Sequence, residues 1–174
     1  MRRLVLVLGT IVVLAGCSSH PAAPSPSPSA PAVAAAQPPP DPQPSGPGPC
    51  PYLDTSFVAD TNGQHVSKVQ TSSADAGKPP SCFFYALSGK LQLTVQVYVG
   101  DAGVAKALVD KAAPLNSSNP ATDPAGWQGG YEPTDGGAVY AVAKAGAAVV
   151  VTTNQKQTIK ARTVAKQTIS ALGL

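Results

Sequence analysis

The 174-residue sequence is poor in the side chains that most binding and catalytic chemistry draws on. Charged residues make up 12% and aromatics 5%, with one tryptophan, one methionine and two histidines. So lean a supply of lysine and arginine excludes a polycationic nucleic-acid binder, which needs a dense basic patch to neutralise phosphates. The formal charge of +3 shrinks further once Arg2 and Arg3 are assigned to a leader, leaving ten Lys/Arg against nine Asp/Glu. No second apolar run approaches the roughly 20 residues of a membrane-spanning helix, which excludes a polytopic membrane protein. Phosphate-binding loops are missing too: Gly126 to Gly130 lacks the Lys and Ser/Thr that a P-loop requires.

What is there begins with Arg2 and Arg3, followed by an apolar run from Leu4 to Leu14 and small residues ending in Cys17. That is the layout of a secretory signal and too short for a stable span. Leu14-Ala15-Gly16-Cys17 resembles the lipobox of bacterial lipoproteins. The resemblance implies cleavage after residue 16 and a lipid-carrying (diacylglyceryl, palmitate-type) sulfur on Cys17. Acyl chains burying about 0.8 kcal/mol per methylene would anchor the protein at the membrane surface without spanning it.

From Ser18 to Pro49 the composition changes: twelve of 32 residues are proline, and with His20 neutral Asp41 is the only charged side chain. Such a segment has too little apolar surface to offset the entropy of ordering, so residues 17–49 are expected to form a disordered linker, partly polyproline II. At about 3.1 Å per residue it would reach roughly 100 Å. The 125 residues from Cys50 to Leu174 carry no repeat or second linker and are expected to form one globular domain.

Setting Cys17 aside leaves Cys50 and Cys82, and in an exported chain their default state is a disulfide. Closing a loop of about 32 residues would stabilise the domain by about 3 to 4 kcal/mol in the chain-entropy account. A redox site is disfavoured by the absence of a C-x-x-C pair, and a zinc site by the imidazole supply, which is His65 plus His20 in the linker. No metal and no cofactor is expected.

Periodicity gives the outline of the domain. Leu91 to Val99 alternates apolar and polar residues as a strand with one buried face does, and Phe83 to Leu87 is its expected hairpin partner through Ser88-Gly89-Lys90. Asp101 offers an N-cap for a helix carrying Val104, Ala105, Leu108, Val109 and Ala112 as far as Pro114. Leu115 to Gly137 reads as a long loop. Ala138–Ala143 and Ala147–Thr153 form a second hairpin, and a C-terminal helix presents Ala161, Val164, Ala165, Thr168, Ile169 and Leu172 as one stripe. Near the start, Asp54 could cap a short helix through Phe57 and Val58 ending at Asn62-Gly63, although Asn-Gly is equally a hairpin turn; the helix is the favoured reading, followed by a strand from His65 to Gln70. The expected fold class is α+β: a single domain with an antiparallel sheet built from hairpins and flanked by helices.

Candidate chemistry is sparse. A serine hydrolase would need a nucleophile and an acid beside His65, and no G-x-S-x-G elbow occurs. Glu132 and Asp135 are close in sequence, but their Gly/Pro-rich setting reads as turn chemistry rather than a glycosidase pair. The expectation is therefore of a protein that is not an enzyme. Trp127 and Tyr131 are the candidate ligand-binding residues, since both join a broad apolar face to a polar edge within a long loop; the competing reading makes Trp127 a core plug. Residues 101–135 carry five acids against two lysines, and residues 136–174 carry five bases and no acid. A basic C-terminal helix could meet anionic headgroups, or simply be solvated.

Four stretches carry a wider resemblance: Cys50-Pro51-Tyr52-Leu53, Cys82-Phe83-Phe84-Tyr85, Gly126-Trp127-Gln128-Gly129-Gly130 and Thr153-Asn154-Gln155. Together they resemble a domain family of unknown function found in mycobacterial and corynebacterial lipoproteins, covering Cys50 to Leu174. The resemblance implies a cell-envelope lipoprotein with a fold similar to the PsbP-like group, and brings no catalytic residues. The resulting expectation is a monomeric, membrane-anchored, non-enzymatic protein on the extracytoplasmic face, or in the cell wall or secreted fraction. It would bind a lipid, a glycolipid or another glycan, or serve as an interaction module for an envelope protein; a hydrolase is the weaker alternative.

Overall fold

Two hairpins dominate the sheet because their sequences alternate as pleated strands do. Strand Cys82–Ala86 (β3) turns through Ser88-Gly89 into Leu91–Val99 (β4), and Gly137–Lys144 (β7) turns through Ala145-Gly146 into Ala147–Thr153 (β8). The computed structural model describes residues 36–174. The leader, the lipidation candidate Cys17 and His20 lie outside the described residues.

Four further strands and three helices complete the domain around these hairpins. Pro44–Pro47 (β1) and Val66–Ser72 (β2) flank the helix Thr55–Asn62 (α1), and Ala102–Ala112 (α2) follows β4. Asn119–Ala121 (β5) and Gln128–Thr134 (β6) precede β7, and Thr158–Leu172 (α3) ends the chain. The eight strands form one antiparallel sheet in the order β1-β2-β3-β4-β8-β7-β6-β5. Two four-stranded meanders thus grow inward from opposite edges and join at the β4–β8 seam. This is the expected α+β class with its antiparallel sheet, flanking helices and single disulfide.

The connections decide which face is covered. α2 carries the chain from the central β4 to the far edge and lies over β6, β7 and β8, burying Ala105, Leu108 and Val109 against Val139, Ala141, Ala148 and Val150. Asp101 caps it as its sequence suggests, its carboxylate accepting from the Val104 N–H at 3.0 Å. On the other face α3 buries the stripe Ala161, Val164, Ala165, Thr168 and Ile169 against β7 and β8, while α1 packs beside it over β2. Phe84, Leu93, Val95, Val142, Val149 and Val151 supply the sheet side of that larger core. The face under α1 and α3 carries the larger core, with Val99 at the end of β4 left 38% exposed. The opposite face is roofed only over its β6–β8 half.

The Cys50–Cys82 disulfide forms, with Cα atoms 5.7 Å apart and both cysteines buried. It fixes the chain entering α1 to the first residue of β3. Tyr52 sits beside it, donating to the Pro80 carbonyl at 2.7 Å, and burial pushes its phenol pKa well up.

Three expectations need correcting. Residues 115–137 are not one loop: β5 and β6 lie within them, and β6 pairs with β7 through the two-residue turn Asp135-Gly136. The linker does not stay free up to residue 49, because Pro44–Pro47 pairs with β2 as an edge strand. An edge position tolerates prolines, since only one side of the strand owes hydrogen bonds to a neighbour. Finally, β4 does not alternate without a break. A bulge between Phe84↔Leu93 and Tyr85↔Leu91 makes Gln92 an extra residue, so Leu91 turns to the opposite face and is 45% exposed while Gln92 is buried.

Candidate functional site

The half of the sheet that α2 leaves bare forms the floor of a groove of about 500 Å³, within the range of about 300 to 1,000 Å³ typical of small-molecule sites. Strand pairing places its floor. Phe83 stands opposite Thr94, Thr94 opposite Thr152, and Gln96 opposite Val150, and directly paired residues share a face. The floor therefore combines aromatic and aliphatic surface with a row of hydroxyl and amide groups. Tyr85, two residues beyond Phe83 on β3, and Leu91, turned onto this face by the bulge, extend the apolar end. Lys68 lies with its ammonium 4.1 Å from the centre of the Tyr85 ring.

One wall is α2, through Leu108, Lys111 and Ala112. The other is the extended segment Asp41–Pro44, which the sequence marked only as linker. Asp41 and Lys111 close the rim with an ion pair of 2.6 Å between exposed side chains. A second groove of about 420 Å³ lies on the other flank of α2, lined by Val109, Leu115, Ala121 and Ala143 among others; Leu115 is 76% exposed.

The sequence candidates fall elsewhere. Trp127 is 2% exposed and belongs to the core under α3, with the Lys144 ammonium 5.7 Å from its ring centre. The glycines around it serve close approach: a Cβ on Gly129 would sit 2.0 Å from the Ala141 carbonyl oxygen. Tyr131 stacks on Tyr140 across the β6–β7 pair with ring centres 6.2 Å apart, and both line a small cavity of about 180 Å³ with Thr158, Ile159 and Arg162. Trp127 does not line that cavity. Tyr140 donates to the Asp123 carbonyl, and burial followed by the nearby Asp123 charge raises its pKa.

His65 is exposed just before β2, its carbonyl accepting from the Gln92 amide at 3.1 Å. Glu132 lies on β6 and receives the Ser117 hydroxyl at 3.3 Å, whereas Asp135 is an exposed turn residue, so the structure gives these two carboxylates separate roles. The charge asymmetry is largely absorbed inside the domain. Asp123 pairs with Lys166 at 3.1 Å and Arg162 at 3.9 Å, and Lys160 donates to the Asn62 carbonyl at 2.9 Å.

The Thr153-Asn154-Gln155 stretch proves structural. Asn62 is fully buried at the end of α1, donating to the Gln92 side chain at 2.9 Å and to the Asn154 side chain at 3.2 Å. It accepts from the Thr153 hydroxyl, and the Asn154 backbone N–H donates to the Gln92 carbonyl at 2.9 Å. This buried junction locks α1 to β4 and β8. Sequence reading missed both it and the groove, because each depends on the bulge at Gln92.

A comparison with curated proteins finds no relative. A protein-family model, described as a domain of unknown function (DUF2020), matches residues 32–174, taking in the groove, the disulfide, the buried junction and the linker segment that walls the groove. The chain belongs to the DUF2020 family.

Proposed function

We propose that the protein is an exported lipoprotein, acylated at Cys17 and held on the extracytoplasmic face of the cell membrane, whose domain works without catalysis by binding a lipid or glycan in the groove beside α2. The observation that carries the binding reading is the unroofed half of the sheet. This face sets the partly exposed Tyr85 and Leu91, beside the buried Phe83, next to Thr94, Gln96 and Thr152 in one groove. A largely apolar lining with a few convergent polar groups is what a small-ligand site needs.

Export is supported by the leader pattern, by the lipobox-like Leu14-Ala15-Gly16-Cys17 and by a buried disulfide of the kind that oxidising compartments maintain. Among the described residues no helix is long and apolar enough to cross a membrane, so attachment would rest on the lipid. The four-motif resemblance adds an actinobacterial origin and a PsbP-like fold to this reading. A monomer is favoured by the sheet edges, where Pro44, Pro47 and Pro120 withhold donors from an incoming strand.

A second reading, an envelope protein as partner, draws on Leu115 and the apolar groove on the far flank of α2. Mass spectrometry of protein extracted from its own membrane, as wild type and as Cys17→Ala, separates the possibilities. The proposal expects acyl mass only in the wild type and a small amphiphile or glycan co-purifying. Unmodified Cys17 would remove the anchor, and an empty domain would favour a protein partner.

A further inference from the structure

We infer that Asp41 is a built-in stand-in for a ligand's head group, and that the groove takes a single-chain anionic amphiphile whose carboxylate or phosphate displaces Asp41 from Lys111. This rests on the groove reading above and adds the ligand's charge and the device that guards the site.

The argument starts from what holds residues 38–43. Five of the seven residues from Pro38 to Pro44 are proline, so this wall has almost no N–H groups to donate. Among the described residues no backbone hydrogen bond outside the strands anchors residues 38–43; backbone pairing on this side starts at Pro44, where β1 meets β2. Upstream, Ala36 rests against α2 where Gly103 leaves space, a contact without direction. The polar link between the wall and α2 is the Asp41–Lys111 pair, whose side chains are 71% and 45% exposed. Exposed pairs of this kind are weak, because water competes for both ions. Proline-rich chain is already extended, so undocking releases little ordering and redocking costs little. The wall is therefore displaceable, and its displacement frees a cation.

Lys111 stands at the rim above the edge of the α2 core, where the buried Leu108, Val139 and Val150 border the groove, and the floor runs from there toward Phe83 and Leu91. Cationic rim, apolar trough and a volume of about 500 Å³ suit one acyl chain with one acidic head. The Thr and Gln row along the floor then accommodates a polar attachment near the head. Asp41 presents to Lys111 the same group that a carboxylate ligand would, at 2.6 Å. The linker that leads toward the anchor candidate at Cys17 is thereby coupled to occupancy, since ligand and wall compete for one ammonium.

The test uses the full chain and the fluorescent fatty acid cis-parinarate, with oleate, oleoyl lysophosphatidate and oleyl alcohol as competitors. Removing the internal competitor in Asp41→Asn should tighten parinarate by about threefold, and Lys111→Gln should weaken it by about tenfold. Both residues are exposed, and unchanged melting temperatures would confirm folding. Oleate outcompeting lysophosphatidate assigns a carboxylate head, the reverse a phosphate, and oleyl alcohol should compete poorly. Equal affinity in all three proteins, or oleyl alcohol competing as well as oleate, overturns the inference while leaving the groove reading intact. If no variant binds parinarate but a molecule still co-purifies from the membrane, the inference again falls alone. No binding and no co-purifying molecule overturns both.

Discussion

The Asn62 side chain at the end of α1 donates to the Gln92 side chain at 2.9 Å, thirty residues away, inside a core that excludes water from both. Asn62 also receives the Thr153 hydroxyl, so one amide ties a helix to two strands. Asn62→Ala leaves Gln92 and Thr153 with unmet polar atoms and should cost about 2 to 3 kcal/mol. Urea unfolding measures it, and a loss below about 0.5 kcal/mol would mean that the junction is dispensable.

Trp127 tests the division between core and site. Trp127→Ala opens a cavity under α3 and should destabilise by about 3 to 5 kcal/mol. Trp127→Phe should recover much of that. Ligand affinity of the folded Trp127→Phe protein should match the wild type, because the ring does not line the groove beside α2. A large affinity loss with little change in melting temperature would return Trp127 to the binding site.

For the disulfide, the double variant Cys50→Ser/Cys82→Ser should lose about 3 to 4 kcal/mol, since a loop of about 32 residues is then free in the unfolded chain. Reduction of the wild type should lower the melting temperature similarly. Coincident melts with and without reductant would contradict a structural bridge.

Alkaline unfolding reports the buried phenols. Tyr52 and Tyr140 both have folded pKa values above the unfolded 10.0, raised chiefly by burial. A group of this sign contributes its stability fully below the unfolded value and loses it as pH rises beyond about 10 toward the folded one. Stability from these residues should thus be level below about pH 9 and fall above 10. Tyr52→Phe should lose about 1 kcal/mol at neutral pH, because the Pro80 carbonyl loses its donor, and should fall less steeply in alkali. Parallel curves for the two proteins would place the titration elsewhere.

Strand and helix were legible wherever one side-chain period ran uninterrupted. The stripe on α3, the Asp101 cap and both hairpins followed from spacing, and the cysteine pair from the two cysteines left once Cys17 is set aside. β6 was hidden because Gly129, Gly130 and Pro133 dilute its alternation, although Asp135-Gly136 is a two-residue hairpin signal that points to a strand before it. β1 was hidden because prolines read as linker. The groove was not legible for a deeper reason. It arises from the bulge at Gln92, which turns Leu91 over, and from α2 crossing to the far edge of the sheet, and neither local periodicity nor composition encodes where a crossing helix stops. Trp127 drew attention through its rarity, whereas the groove-lining Thr94, Gln96 and Thr152 are inconspicuous polar positions of strands.

The central claim, that the bare half of the sheet is the ligand site, is tested most directly by Thr94→Trp, which fills the trough without entering the core. Native mass spectrometry of the membrane-extracted protein, wild type beside Thr94→Trp, reads the outcome. The account predicts a bound small molecule in the wild type and its loss from a variant that melts as the wild type does. The same molecule bound equally to both would contradict it.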